Sequence, residues 1–343
     1  MAKPVAIPTL CAARHIRTKT EILAGEPPLA SVVPASKGRK RYRVSGHEGF
    51  PCRYTWLPKT VRGLKQPKNL LADEENAMVA LGLGKNMVRS ARFWAQAAGV
   101  VEPAKEGQKV TEFGKMLLDD KDGLDPFLED ITTLWLIHWK LSTDVKNPLL
   151  AWDYLLNRWH APELVRSAAL KHLEKELGNF EDKLSLATLA QHFDTFIHTY
   201  VPTRGRKAVV QEDSLDCPLV ELELLVKVGE RNSDGSTSER ETIYAFRREE
   251  KPEISEDLFI YCLNDFWECR QQKEETLALR DLAYGYGSPG QIFKLPEENI
   301  RSRVEALENQ TGGMFLYADS ANLQQIRRVR KPDSKMLLKA IYR

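Results

Sequence analysis

The chain has 343 residues, enough for two or three domains of ordinary size, and its 42% hydrophobic content excludes wholesale disorder. The net charge of +2 conceals an asymmetry: residues 1–100 carry 17 Lys/Arg against 6 Asp/Glu (+11), residues 101–326 carry 26 against 41 (−15), and residues 327–343 carry 7 against 1 (+6). Cationic ends predict a polyanion partner, and they leave the acidic middle as scaffold or docking surface.

Residues 1–35 are proline-rich and without sustained periodicity, which predicts a flexible tail. Residues 37–68 hold ten Lys/Arg and one acid, Glu48, with Tyr42, Phe50, Tyr54 and Trp56 interleaved. Gly, Pro and Ser break this stretch into short pieces. From Asp73 the pattern turns helical, with acids in a first turn, then two glycines at Gly82 and Gly84, then a second helix ending near Gly99. Thr111 is positioned to cap a third short helix over 110–120. Tryptophan-rich amphipathic helices are expected over 129–142 and 149–160, and the helical block continues to about residue 200. A basic, then acidic loop follows. Two strands are expected in 218–229 and 241–248, joined by a polar connection with Asp234-Gly235. Residues 254–285 return to helix, and 288–320 read as helix, helix, turn, strand, before a basic tail. The predicted class is mainly α with small β elements. Its expected parts are a tail (1–35), a basic winged-helix-like region (36–122), a helical middle (123–200) and an α+β end with a second winged-helix-like unit (201–343).

The segment 85–98 fits the second helix of a helix–turn–helix. Met87, Ala91, Trp94 and Ala98 recur at helical spacing for an inward face. Lys85, Arg89, Arg92 and Gln96 recur at steps of 4, 3 and 4 on the opposite stripe, Asn86, Ser90 and Phe93 flank it, and no acid occurs in 85–98. Cations and amides on one helix face suit phosphates and base edges. A solvated amphipathic surface is the alternative, and the basic stretch upstream favours nucleic acid. Residues 100–117 then suit a strand, wing and helix. At the other end the alternative to a second DNA-gripping unit is a dimerisation or packing module.

The densest group of reactive side chains is 45–59, where His47 could act as a general base, Glu48 as base or metal ligand, and Arg53 as a phosphate clamp. A lone His-Glu pair lacks the spaced carboxylates of a two-metal site, so structural or phosphate-positioning roles stand beside catalysis. His192, Asp194 and His198 scatter around a helix, His138 fits a hydrogen-bonded core position, Glu221 and Glu223 mark the solvent face of a strand, and Cys217 has no histidine near it in sequence. Phosphate-loop and dinucleotide fingerprints are missing from the sequence. No apolar run reaches the roughly 20 residues of a membrane span, the N-terminus lacks a secretory signal pattern, and five cysteines form no CxxC pair. The expected setting is a reducing cytoplasm, without membrane contact.

Segments 46–59 (GHEGFPCRYTWLPK), 81–101 (LGLGKNMVRSARFWAQAAGVV) and 287–295 (GSPGQIFKL) resemble the SspB-like family of bacterial DNA-phosphorothioation systems, a domain-of-unknown-function family. Residues 125–139 and 213–225 resemble it as well, and the likeness runs from about residue 43 to 328. It implies a part in sulfur modification of the DNA backbone and in anti-phage defence, beside a cysteine desulfurase, an ATPase and an ATP-pyrophosphatase-like sulfurtransferase. DNA nicking is also implied, with Mg²⁺ or Mn²⁺ if the protein is a nuclease and no other bound cofactor. The family pattern reads Gly-His-Glu-Thr-Phe where this chain has Gly49, so a hydroxyl role there is lost. The expected DNA contacts are Arg43, Arg53 and Lys59 to phosphates and Lys85, Asn86, Arg89, Ser90, Arg92 and Gln96 from the helix, with His47 and Glu48 as catalytic candidates. The alternative is a non-enzymatic winged-helix adaptor or transcription regulator. A protein-interaction scaffold docking through the acidic middle is a third reading.

Overall fold

A computed structural model describes residues 42–65, 73–105, 107–178, 184–202, 217–232, 240–270, 273–320 and 323–343. The expected tail at 1–35, most of the loop at 201–217 and the Asp234-Gly235 connection lie outside the described residues.

The first part is built from α1 (Trp56–Lys65), α2 (Glu74–Leu81) and α3 (Lys85–Ala97), an antiparallel hairpin of β1 (Val101–Pro103) and β2 (Gln108–Val110), and α4 (Glu112–Leu118). Local chemistry sets these boundaries. The Asp73 carboxylate accepts the Asn76 N–H at the start of α2, and Thr111 Oγ1 accepts the Gly114 N–H at the start of α4. Helix α3 ends in a Schellman motif: Val100 N–H donates to the Ala95 carbonyl at 2.9 Å and Gly99 N–H to that of Gln96 at 3.1 Å. The expected order of helix, turn, helix, strand, strand and helix is thus present across 74–118.

The middle consists of α5 (Ile131–Thr143), α6 (Leu150–Asn157), a two-residue strand β3 (Leu164–Val165), α7 (Arg166–Gly178) and α8 (Leu186–Tyr200). Helix α5 was expected to be amphipathic, but six consecutive residues from Leu134 to Trp139 are buried. A helix apolar on every side belongs inside a core. His138 is the hydrogen-bonded core histidine its apolar neighbours suggested: Nδ1 lies 2.7 Å from the Tyr200 hydroxyl and Nε2 lies 3.0 Å from the Ile292 carbonyl.

The last part opens with a 3-10 helix (Pro218–Leu222), followed by β4 (Leu225–Asn232) and β5 (Arg240–Phe246), and the sheet order is β3-β5-β4. This corrects the strand expected from residue 218. Pro218 sits at the helix start, where it needs no N–H, and Glu223 turns the chain with φ 45°, so neither Glu221 nor Glu223 alternates on a strand. Then come α9 (Glu256–Arg270), β6 (Thr276–Ala278), α10 (Leu279–Tyr284), α11 (Pro289–Phe293), α12 (Glu297–Thr311), β7 (Phe315–Ser320), β8 (Leu323–Arg328) and α13 (Ser334–Ala340). Strand β8 lies between β6 and β7, antiparallel to both. The expected basic tail is therefore folded. Its arginines begin in a central strand, and Leu337 and Leu338 are buried.

One cluster of buried side chains draws on 42–118, 128–197 and 200–338, so packing is continuous across the expected boundaries. It encloses six fully buried tryptophans, Trp56, Trp94, Trp135, Trp139, Trp152 and Trp267. Among the described residues, no helix is long and apolar enough to cross a membrane.

Candidate nucleic-acid interface

The exposed face of α3 is the stripe that its spacing predicted. Lys85, Asn86 and Arg89 are exposed, and Arg92 and Gln96 are half-buried. The buried face is broader than the expected four residues: Val88, Ser90, Ala91, Phe93, Trp94, Ala95 and Ala97 are all enclosed, whereas Met87 is only half-buried. Ser90 and Phe93, expected beside the outward stripe, point inward. Ser90 Oγ donates to the His47 carbonyl at 2.9 Å, so this side chain does not face solvent.

What covers that side of α3 is the turn at 46–50. Trp94 Nε1 donates to the Phe50 carbonyl at 2.9 Å, and the His47 carbonyl also accepts the Phe50 N–H at 2.9 Å. Three residues of the turn have positive φ, Gly46 at 104°, Glu48 at 50° and Gly49 at 77°. The turn folds back so tightly that a side chain at Gly49 would stand 2.5 Å from Gln191 Nε2 on α8.

The fold divides the His47-Glu48 pair. Glu48 is exposed, while His47 is only 1% exposed and stacks on His192 at 5.3 Å between ring centroids. Its Nε2 lies 3.1 Å from His192 Nδ1, and His192 Nε2 accepts the Ala151 N–H at 3.1 Å. That last bond puts the His192 proton on Nδ1, aimed at His47 Nε2. His47 Nδ1 accepts the Gly49 N–H at 3.1 Å and lies 3.3 Å from Thr195 Oγ1, a hydroxyl that itself donates to the Gln191 carbonyl. Burial outweighs the hydrogen bond by which the Val44 main chain favours the charged His47 ring. Burial lowers His47 to about 4 and His192 well below the usual imidazole range. A general base open to a phosphodiester, as the sequence suggested for His47, is not what these contacts build. The pairing of His47 with His192 and Thr195 was missed because each lies more than 140 positions from His47 in the chain. The even mix of apolar and polar neighbours along α8 gave no local sign of the pairing.

The cations expected to reach phosphates are partly committed elsewhere. Arg43 is half-buried over the Phe93 ring at 5.3 Å, its main chain bridges Pro148 and Leu150, and burial lowers its pKa. Arg53 stacks on Trp56 at 5.6 Å, and Lys59 Nζ donates to the Leu81 carbonyl at 3.0 Å, tying α1 to the end of α2. On α3, Arg89 Nε donates to Glu74 Oε1 at 2.7 Å and Nη2 to Oε2 at 3.4 Å, while Lys85 Nζ lies 3.1 Å from the same Oε2. Glu74 is held below the usual carboxylate range by these hydrogen bonds, and Arg89 is raised by Glu74 first and by Glu48 more weakly. Sequence reasoning noted the acids at the start of α2 and missed this pairing, because it depends on the angle between two helices.

Helix, turn and face together make an exposed strip of amide and cationic side chains on a rigid, buried support. A family model described as a protein of unknown function (DUF4007) matches residues 44–342. The chain belongs to this family. Two solved structures share its fold. One is described as a magnesium ion-bound SspB crystal structure, with TM-score 0.75 and 24% identity over 88% of this chain and 89% of that one. The other is described as an SspB crystal structure, with TM-score 0.74 and 21% identity over the same shares. No curated protein matches the sequence. The SspB-like fold expected from the three motif segments is thereby established. Those segments are also junctions of the core: 46–59 and 81–101 dock on each other, and in 287–295 a side chain at Gly290 would strike the Ala283 carbonyl at 2.2 Å. For magnesium, no group of three or more His, Cys, Asp or Glu among the described residues is placed to hold a metal ion, and we derive no step through one.

Proposed function

We propose that this protein is a duplex-DNA-binding component of a phosphorothioation-type modification and defence system. The observation that carries the reading is the α3 face. Lys85, Asn86, Arg89, Arg92 and Gln96 share one side of a 13-residue helix whose other side is locked into the core. Cations on such a face supply salt-dependent phosphate contacts, and Asn86 and Gln96 are suited to adenine edges. The hairpin β1–β2 follows α3 in the chain order of a winged helix, which supports reading it as a wing that adds backbone contacts. The partners are the cysteine desulfurase, ATPase and ATP-pyrophosphatase-like enzyme that the SspB resemblance implies.

The enclosed position of His47 favours binding over cleavage at the 46–50 turn, and therefore the adaptor form of this function over a nickase centred on His47 and Glu48. The test is duplex binding over a salt series. Arg89→Ala with Arg92→Ala is expected to weaken binding at least tenfold at low salt and to reduce the slope of log K against log salt by about two. The same preparations, incubated with supercoiled plasmid and Mg²⁺ or Mn²⁺, are expected to leave it closed. Unchanged affinity and slope refute the α3 assignment, and plasmid relaxation by the pure protein refutes the adaptor form.

A further inference from the structure

The α3 face carries an acid that its own sequence does not contain. Glu74 lies in the first turn of α2, 11 residues before Lys85, and its carboxylate sits between the Lys85 ammonium and the Arg89 guanidinium. Arg89 engages both carboxylate oxygens from Nε and Nη2, at 2.7 and 3.4 Å, and Lys85 adds a third contact at 3.1 Å. A carboxylate in a guanidinium fork presents the same pair of acceptor oxygens as a backbone phosphate. Two cations around one planar pair of oxygens form an anion site of phosphate dimensions. All three side chains remain in contact with water, Lys85 56% and Arg89 45% exposed and Glu74 29%, so the pairing can be exchanged without unfolding.

We propose that Lys85 and Arg89 form a backbone-phosphate subsite and that Glu74 is its internal occupant, a clamp that DNA must displace. The inference rests on the DNA-binding reading above and adds a restraint to it. Other acids near the strip act in the same direction but at longer range. Glu48 raises Arg89 only as a minor contribution, and Arg92, lowered by burial, is raised in turn by Glu74 and then by Asp73. The clamp offsets one of the fork's two positive charges until a polyanion with enough charge density competes for the fork. It thereby lowers affinity for isolated phosphates and weak polyanions relative to duplex.

Neutralising the clamp tests this. Glu74→Gln is expected to tighten duplex binding about tenfold at low salt and to steepen the salt slope by about one counterion. In a Lys85→Ala, Arg89→Ala background, the same Glu74→Gln change is expected to alter affinity less than about twofold, because no fork is left to free. Melting temperatures within a degree or two of wild type would show that the fold is intact, as expected for exposed ion pairs. Equal or weaker binding by Glu74→Gln overturns the clamp and makes Glu74 a positioning residue for Arg89. A gain that persists in the fork-less background also overturns it, since a general field effect would then suffice. Failure of the underlying reading looks different: the wild type and the Lys85→Ala, Arg89→Ala variant bind duplex equally, or neither binds.

Discussion

His47 illustrates how far one side chain can lie from its expected work. Its residue type suggested proton transfer, but its ring is enclosed against His192, Thr195 and the Gly49 amide. A histidine whose folded pKa is depressed stabilises the fold while neutral. The unfolded imidazole takes a proton near 6.5, whereas the folded one does so only at about 4. Between those values the unfolded state binds more protons, so stability is complete above 6.5 and is lost as the pH falls toward 4. Lowering the pH from 7 to 5 is expected to cost about 2 kcal/mol from His47, with His192 adding to it in the same direction. Thermal unfolding over that range checks this, and a melting temperature that stays flat would contradict it. Ser90 teaches the same lesson at smaller scale, since a hydroxyl beside a cationic stripe proved to be an internal hydrogen-bond donor.

Among the elements, α3 was legible and the turn that braces it was not. Its limits follow from local rules, a two-glycine turn before it and a Schellman motif after it. Its exposed stripe follows from spacing alone. The 46–50 turn has no such period, and its shape depends on left-handed backbone at Glu48 and Gly49. At φ 77° glycine is nearly free of strain, while a β-branched residue is not. Gly49→Thr, which restores the residue of the resembled pattern, is expected to cost about 2 kcal/mol through backbone strain and displacement of Gln191. Gly49→Ala is expected to cost about 1 kcal/mol. Chemical denaturation of the two variants checks the order, and a stabilising threonine would mean that the turn can adopt another backbone. The strand expected from residue 218 failed for a related reason. Alternating apolar and acidic residues suggested period two, but Pro218 and the turn at Glu223 impose a 3-10 helix over Pro218–Leu222 and delay the strand to Leu225.

Over the whole molecule, the basic C-terminal segment is the clearest revision. Seven cations in 17 residues suggested a basic tail. The chain instead places β8 between two strands and packs α13 against α9, with Leu338 3% exposed and the Tyr342 hydroxyl 2.7 Å from Thr133 Oγ1 on α5. Removal of residues 334–343 is expected to destabilise the fold by about 3 kcal/mol or more, the order expected for losing two buried leucines. Calorimetry of the truncated chain measures this, and an unchanged melting temperature would mean that α13 adds nothing to the core. The charges of this segment are also partly spoken for, since Arg328 and Lys331 both pair with Glu268. The regional sums of +11, −15 and +6 are therefore not surfaces. Acids and bases distant in sequence meet across the fold, as Lys335 does with Glu112 and Lys65 with Asp119.

The sequence by itself determined what is local or periodic: the helix order from residue 74 to 200, though not α1 in the broken basic stretch before it, the cap at Thr111, the outward stripe of α3, the core position of His138 and the family likeness of the motif segments. These depend on neighbours within a few residues, so their free energies are decided within a turn or two of chain. The tertiary structure decided which reactive groups meet solvent. His47 went inside because α8 brings His192 to it from 145 positions away. The α3 cations acquired a carboxylate because α2 crosses beside them, and the basic end became strand and helix because β6, β7 and α9 supply its missing partners. Burial and ion pairing are set by distances between elements, and a linear pattern carries little information about those distances.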